Sequence, residues 1–206
     1  MRTATTPLER SVRRATGFLT RALTREEQQH RGLSEGSRGG RGFDFVVKAA
    51  LLRERSRQKL AAGPDNARIQ WYGELESRVD LPATVVGEGP VRRWLDLRLR
   101  LPGDGQGLGI ETKCIASLSR RGERIARIAR DVEKLSSCVR TRVVDAGIVL
   151  VVGVGLTTDE FSALVCDGAV AANWVSYEEI PTTSRRSIRV AYIGVMRARA
   201  LVLGAA

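Results

Sequence analysis

From Asp145 to Gly155 the chain reads Asp-Ala-Gly-Ile-Val-Leu-Val-Val-Gly-Val-Gly, an apolar, β-branched run with no polar side chain after its first residue. A strand with one wet face alternates polar and apolar residues, so a strand without alternation is covered on both faces. The run is therefore the mark of a central strand, and helical patterns stand before and after it in the sequence. Upstream, Ile125, Ile128, Ala129, Val132 and Leu135 recur at helical spacing, with Arg121, Arg124, Arg127 and Arg130 off that stripe. Downstream, Thr157-x-x-Glu160 has the spacing of a capping box, opening a helix through Phe161, Leu164 and Val165.

Earlier segments follow the same logic. Phe43, Val46, Val47, Ala50 and Leu51 make an apolar helical stripe running to about Leu60, and Gly63-Pro64-Asp65-Asn66 ends it with turn chemistry. Ile69, Trp71, Gly73 and Leu75 alternate with Gln70, Tyr72, Glu74 and Glu76, a strand of period two. A second strand sets Leu95, Leu97, Leu99 and Leu101 against Trp94, Asp96, Arg98 and Arg100. Pro102 to Gly107 is a turn, and residues 108–115 return as a third strand. Residues 187–200 read as a last strand. The order α-β-β-β-α-β-α-β implies an α/β fold with a mixed central sheet flanked by helices. No internal repeat is evident.

Residues 7–30 place Leu8, Val12, Ala15, Leu19, Ala22 and Leu23 at helical spacing, and Gly32 to Gly42 is Gly/Ser/Arg-rich. With nine arginines and four glutamates, residues 1–42 read as a basic helical arm and linker that lies on DNA, packs on a partner chain or is a peripheral helix with a solvated basic face. The main domain then spans 43–206.

Composition narrows the chemistry. A net charge of +11 points to an anionic partner, nucleic acid ahead of membrane. Three isolated cysteines without a C-x-x-C pair imply a reducing compartment. The N-terminus lacks an apolar h-region, and the run from Ala146 to Leu156 is too short to span a bilayer, so a cytoplasmic protein is expected. A single histidine, His30, excludes His-rich zinc sites and disfavours a Ser-His-Asp triad. A bound metal would be a hard cation on oxygen ligands, Mg²⁺ or Mn²⁺. Without a P-loop, ATP hydrolysis by that route is not expected.

Only four of the 34 basic residues are lysines: Lys48, Lys59, Lys113 and Lys134. Lys113 closes Glu111-Thr112-Lys113 on the third strand. With 23 acids in the chain, an acid two places before a lysine is no rarity, so placement must carry the weight. Glu111 and Lys113 project from one strand face, with Ile110, Thr112 and Cys114 on the other. Asp96 is on the polar face of its own strand, opposite the leucines. If strands 94–101 and 108–115 form a hairpin, it lies beside Glu111 and Lys113 at one edge of the sheet. Asp96 and Glu111 would hold a divalent cation with the Thr112 carbonyl, and Lys113 would position or deprotonate water.

Residues 43–156 resemble the PD-(D/E)XK, or restriction-endonuclease-like, nuclease superfamily. Asp96 matches the family's acid at the start of the second strand, and Glu111-Thr112-Lys113 matches its E-x-K on the third, with a helix following. Leu95 stands where the namesake proline would be. The resemblance implies an α-β-β-β-α-β core and a Mg²⁺-dependent DNA endonuclease. It also implies an added helix acid, either Asp44 or Glu54, with Asp44 preferred. A homodimer is expected, since two strands of a duplex need two sites. A restriction enzyme leads; a Holliday junction resolvase, a repair nuclease or a non-catalytic nucleic-acid-binding protein are the alternatives. Arg120, Arg124 and Arg127 on one helix, and Arg185, Arg186 and Arg189 near a loop, are candidate phosphate contacts. Gly153-x-Gly155 lacks the third glycine of a dinucleotide loop and is set aside.

Overall fold

The computed structural model describes residues 7–36, 43–61, 72–81, 91–100 and 107–197. Six strands form one sheet: β1 (Tyr72–Leu81), β2 (Val91–Arg100), β3 (Gly107–Ile115), β4 (Ala146–Val154), β5 (Trp174–Ile180) and β6 (Ile188–Met196). Their order is β1-β2-β3-β4-β6-β5. β3 and β4 are parallel, while β1–β2, β2–β3, β4–β6 and β5–β6 are antiparallel, so the sheet is mixed.

The apolar run becomes β4, buried along its whole length. Ile148, Leu150, Val152 and Val154 point into one core and Val149 and Val151 into the other. The first core is closed by α1 (Pro7–His30), α2 (Gly32–Gly36) and α3 (Phe43–Ala61), the second by α4 (Arg121–Arg140) and α5 (Thr158–Gly168). The protein is thus an open mixed α/β sheet between two helical layers.

The N-terminal helix is a layer of this fold. Phe18, Leu19 and Leu23 of α1 are fully buried with the sheet residues Leu150, Val152 and Tyr192. Within the segment read as a linker, Gly32–Gly36 is a short helix whose Leu33 enters the same core. Buried Glu27 ties the pieces together, accepting from the Ser34 amide at 3.0 Å and the Thr182 hydroxyl at 2.7 Å.

β5 is absent from the sequence expectation. It is an edge strand with its middle residues exposed, so Ser176, Tyr177, Glu178 and Glu179 give little apolar signal. Within the described residues the remaining elements fall where expected; of the expected segments, residues 63–66, 69–71, 101–106 and 198–200 lie outside the described residues. α5 opens with the capping box, Thr157 Oγ1 accepting from the Glu160 amide at 3.3 Å and Glu160 Oε2 from the Thr157 amide at 2.8 Å.

Two glycines set the height of α4 over the sheet. A Cβ on Gly147 would sit 2.7 Å from Leu135 Cβ, and one on Gly109 would sit 3.0 Å from Leu135 Cδ2. Without side chains there, α4 settles directly on β3 and β4.

Candidate active site

The alternation expected of the second strand breaks at Asp96. Leu97 and Leu99 enter the α1/α3 core, but Leu95 enters the α4/α5 core, so the leucines do not share a face. The ladder between β2 and β3 runs from Arg100↔Gly107 to Leu97↔Ile110 and stops. Beyond that point β2 continues with β1 and β3 with β4. The sheet therefore forks, and Asp96, Glu111, Thr112 and Lys113 stand where it opens.

At the fork, side chains replace the missing ladder bonds. The Thr112 amide donates to Asp96 Oδ2 at 2.8 Å, and the Thr112 hydroxyl donates to the same oxygen at 2.9 Å. Asp96 Oδ1 pairs with Lys48 Nζ of α3 at 3.1 Å. The Asp96 carboxylate thus serves the α3 side of the sheet with Thr112, the side that Leu97 and Leu99 also enter, and the expectation that it lies opposite the leucines is corrected. The break in alternation is the cause. Glu111 still comes close: its Oε1 accepts from the Asp96 amide at 3.4 Å.

On the other side, Glu111 and Lys113 face α4 as expected. Glu111 is 3% exposed and its Oε1 lies 2.7 Å from Lys134 Nζ. Lys134 also donates to the Trp94 carbonyl at 3.0 Å, bridging helix and forked strand. Lys113 Nζ pairs with Asp131 Oδ2 at 2.5 Å and donates to the Thr112 carbonyl at 3.1 Å. Asp131 and Lys134 lie three residues apart on α4, their charged atoms 4.0 Å apart.

Burial and pairing divide the charges. Burial would raise the Asp96 carboxyl, but the Thr112 amide and hydroxyl and the Lys48 ammonium outweigh it and hold it below the ordinary value. For Glu111 burial wins over Lys134, aided by the nearby Asp96 and Asp131 charges, and its carboxyl rises from 4.5 to about 7. Burial would lower Lys113, yet Asp131 above all, with Asp96 and Glu111, raises it and keeps the ammonium charged.

Three of the four lysines thus meet at one fork. Each of the three expected metal ligands carries an ammonium: Lys48 on Asp96, Lys134 on Glu111 and Lys113 on the Thr112 carbonyl. Among the described residues no group of three or more His, Cys, Asp or Glu side chains is placed to hold a metal. The available set is two carboxylates and a carbonyl, hard oxygens suited to Mg²⁺ or Mn²⁺. The lysines mark those same oxygens as places that attract positive charge.

Of the two helix acids, Glu54 is buried but pairs with Arg25 of α1 at 2.7 Å, between the helices. Asp44 lies in the first turn of α3, four residues before Lys48, and its side chain lies outside the described residues. On α4, Arg120 pairs with Glu123 at 3.8 Å, Arg127 also pairs with Glu123, and Arg124 donates to the Ser119 carbonyl at 2.9 Å. Lys48, Asp131 and Lys134 were not singled out from the sequence. The scarcity of lysine that drew attention to Lys113 applied equally to Lys48 and Lys134.

No protein-family model matches the chain, and no curated protein matches it. A solved structure described as "Crystal structure of SSO0001" matches 67% of this chain and 60% of its own length, at 16% identity and a TM-score of 0.25. No helix among the described residues is long and apolar enough to cross a membrane.

Proposed function

We propose that the protein is a metal-dependent DNA endonuclease of the PD-(D/E)XK type, acting on a duplex as a homodimer. One observation carries the reading: the sheet forks between β2 and β3, and Asp96, Glu111, Thr112 and Lys113 flank its opening. The element order α3-β1-β2-β3-α4-β4 supports it.

Asp96, Glu111 and the Thr112 carbonyl would hold the cation. When bound, Mg²⁺ polarises the phosphate and makes a bound water more acidic. The protein's own groups do the positioning. Asp131 anchors Lys113 so that its ammonium stands beside the Thr112 carbonyl, where it orients the attacking water and offsets charge growing on the phosphate. Thr112 fixes the Asp96 carboxylate through two hydrogen bonds and keeps it ionised. Lys134 compensates Glu111 while no cation is present.

A second reading has its own support. With an ammonium on each donor oxygen, the fork is also a closed ion-pair network of the kind that a non-catalytic nucleic-acid-binding protein would keep for structure.

Supercoiled-plasmid relaxation separates the two. The nuclease reading expects nicking with Mg²⁺ or Mn²⁺ that stops in EDTA and in Lys113→Ala. Nicking by Lys113→Ala at the wild-type rate would remove the site assignment; DNA binding without cleavage under either metal would favour the second reading. Cutting of a four-way junction in preference to plain duplex would assign resolution rather than restriction.

A further inference from the structure

The loop arginines and the glycine pair set aside in the sequence come together in space. An open cavity of about 750 Å³ lies beyond the C-terminal ends of the parallel strands β3 and β4, between the β4–α5 turn and the β5–β6 loop. Carboxyl ends of parallel strands are where α/β sheets commonly take ligands. Gly155, Thr158, Arg185, Arg186 and Arg189 line it. Asp159 also contributes, one negative charge against three positive ones.

The walls are pinned before any ligand arrives. The Gly155 amide donates to the Ser187 carbonyl at 2.8 Å, and the Ser187 hydroxyl donates to the Leu156 carbonyl at 3.0 Å. Gly155 has φ +75°, a left-handed backbone that favours glycine, and a Cβ there would lie 3.8 Å from Arg186 Cδ. Arg189 Nη1 donates to the Leu156 carbonyl and to Ser187 Oγ, clamping the turn to β6. Ser184 knots the loop beneath the arginines, its hydroxyl donating to the Arg186 carbonyl at 3.0 Å and accepting from the Arg186 amide at 3.1 Å. Arg185 is exposed at the rim. The capping box already occupies the Thr157 and Glu160 amides, so the first turn of α5 adds only the positive end of the helix dipole.

Distance from the fork suggests the occupant. Ala116 lines the cavity three residues after Lys113 on the same chain segment. At about 3.3 Å per residue that is roughly 10 Å, the axial rise of about three nucleotides of one strand. We infer that this cavity holds a backbone phosphate of the bound nucleic acid, about three nucleotides from the bond that is cleaved. Arg185 and Arg186 supply the contacts and Arg189 holds the wall. The inference deepens the nuclease reading and rests on it for the position of the cleaved bond.

The test is duplex binding in EDTA across a salt series, for wild type and Arg185→Ala/Arg186→Ala. Loss of one phosphate contact lowers the slope of log affinity against log salt by about 0.9, which is the drop expected here, with binding weakened about tenfold or more. Arg185→Gln alone, at an exposed position, guards against misfolding of the double variant and should lose about half of that slope. A methylphosphonate that neutralises the third phosphate from the cut should weaken wild type and leave the double variant unmoved. An unchanged slope in both variants overturns the proposal. So does tight 1:1 binding of a nucleoside monophosphate that leaves duplex affinity untouched. If wild type binds duplex without ever cleaving it but the variants lose slope, the cavity stands and the nuclease reading falls.

Discussion

Glu111 and Lys113 are two residues apart on one strand, yet their surroundings drive their protons in opposite directions. Lys113 is held charged by Asp131, whereas the buried Glu111 carboxyl is pushed up to about 7 despite Lys134. A carboxyl whose folded value exceeds its unfolded one binds more protons in the folded state. Stability in metal-free buffer therefore falls as pH rises from about 4.5 to about 7, by roughly 3 kcal/mol from this group. Urea unfolding of wild type and Glu111→Gln across that range should show the difference between them changing by that amount, then levelling above pH 7; parallel profiles would contradict it. Asp96 works the other way, adding stability that is lost only as pH falls through its lowered value. Added Mg²⁺ should stabilise wild type more at pH 8 than at pH 5.5, because cation and proton compete for Glu111. Part of the arrangement was legible: Glu111 and Lys113 both project toward α4, and Glu111 reaches the Asp96 amide. The face of Asp96 was not, because a break in strand alternation leaves no mark in a sequence whose leucines alternate without interruption.

At the level of elements, the site depends on how closely α4 rests on the sheet. Asp131 and Lys134 reach Lys113 and Glu111 because Gly147 leaves room for Leu135. Gly147→Ala should push the helix outward at a cost of about 1–3 kcal/mol. The same shift should reduce cleavage beyond what lost stability explains, measured under conditions where the variant is fully folded. Unchanged unfolding and activity would show that α4 has slack. Helix α4 and strand β4 were plain in the sequence because their periodicities are strong. Edge strand β5 was not, since solvent on its exposed residues erases the pattern. The partners Asp131 and Lys134 were hidden for a related reason: on a helix, charges beside an apolar stripe look like its solvated border until the strand beneath is known.

For the whole molecule, the segment read as a basic arm contributes apolar side chains to the first core. Phe18, Leu19 and Leu23 of α1 are buried against β4 and β6, so α1 supplies part of the core. A chain lacking residues 1–36 should lose cooperative unfolding and expose apolar surface, seen by dye binding; a truncated chain with the wild-type unfolding midpoint would restore the arm. Charge belongs to the same scale. At +11 overall, the protein should bind duplex with an affinity that falls steeply between 50 and 200 mM salt, roughly 10³-fold or more for six phosphate contacts. The most direct measurement is single-turnover cleavage of an end-labelled duplex by wild type and Lys113→Ala, each enzyme in saturating excess over the DNA, in Mg²⁺. The expected result is wild-type cleavage at least about 100-fold faster than the variant, with duplex affinity unchanged. Equal rates, or no cleavage by wild type in either Mg²⁺ or Mn²⁺, would contradict it.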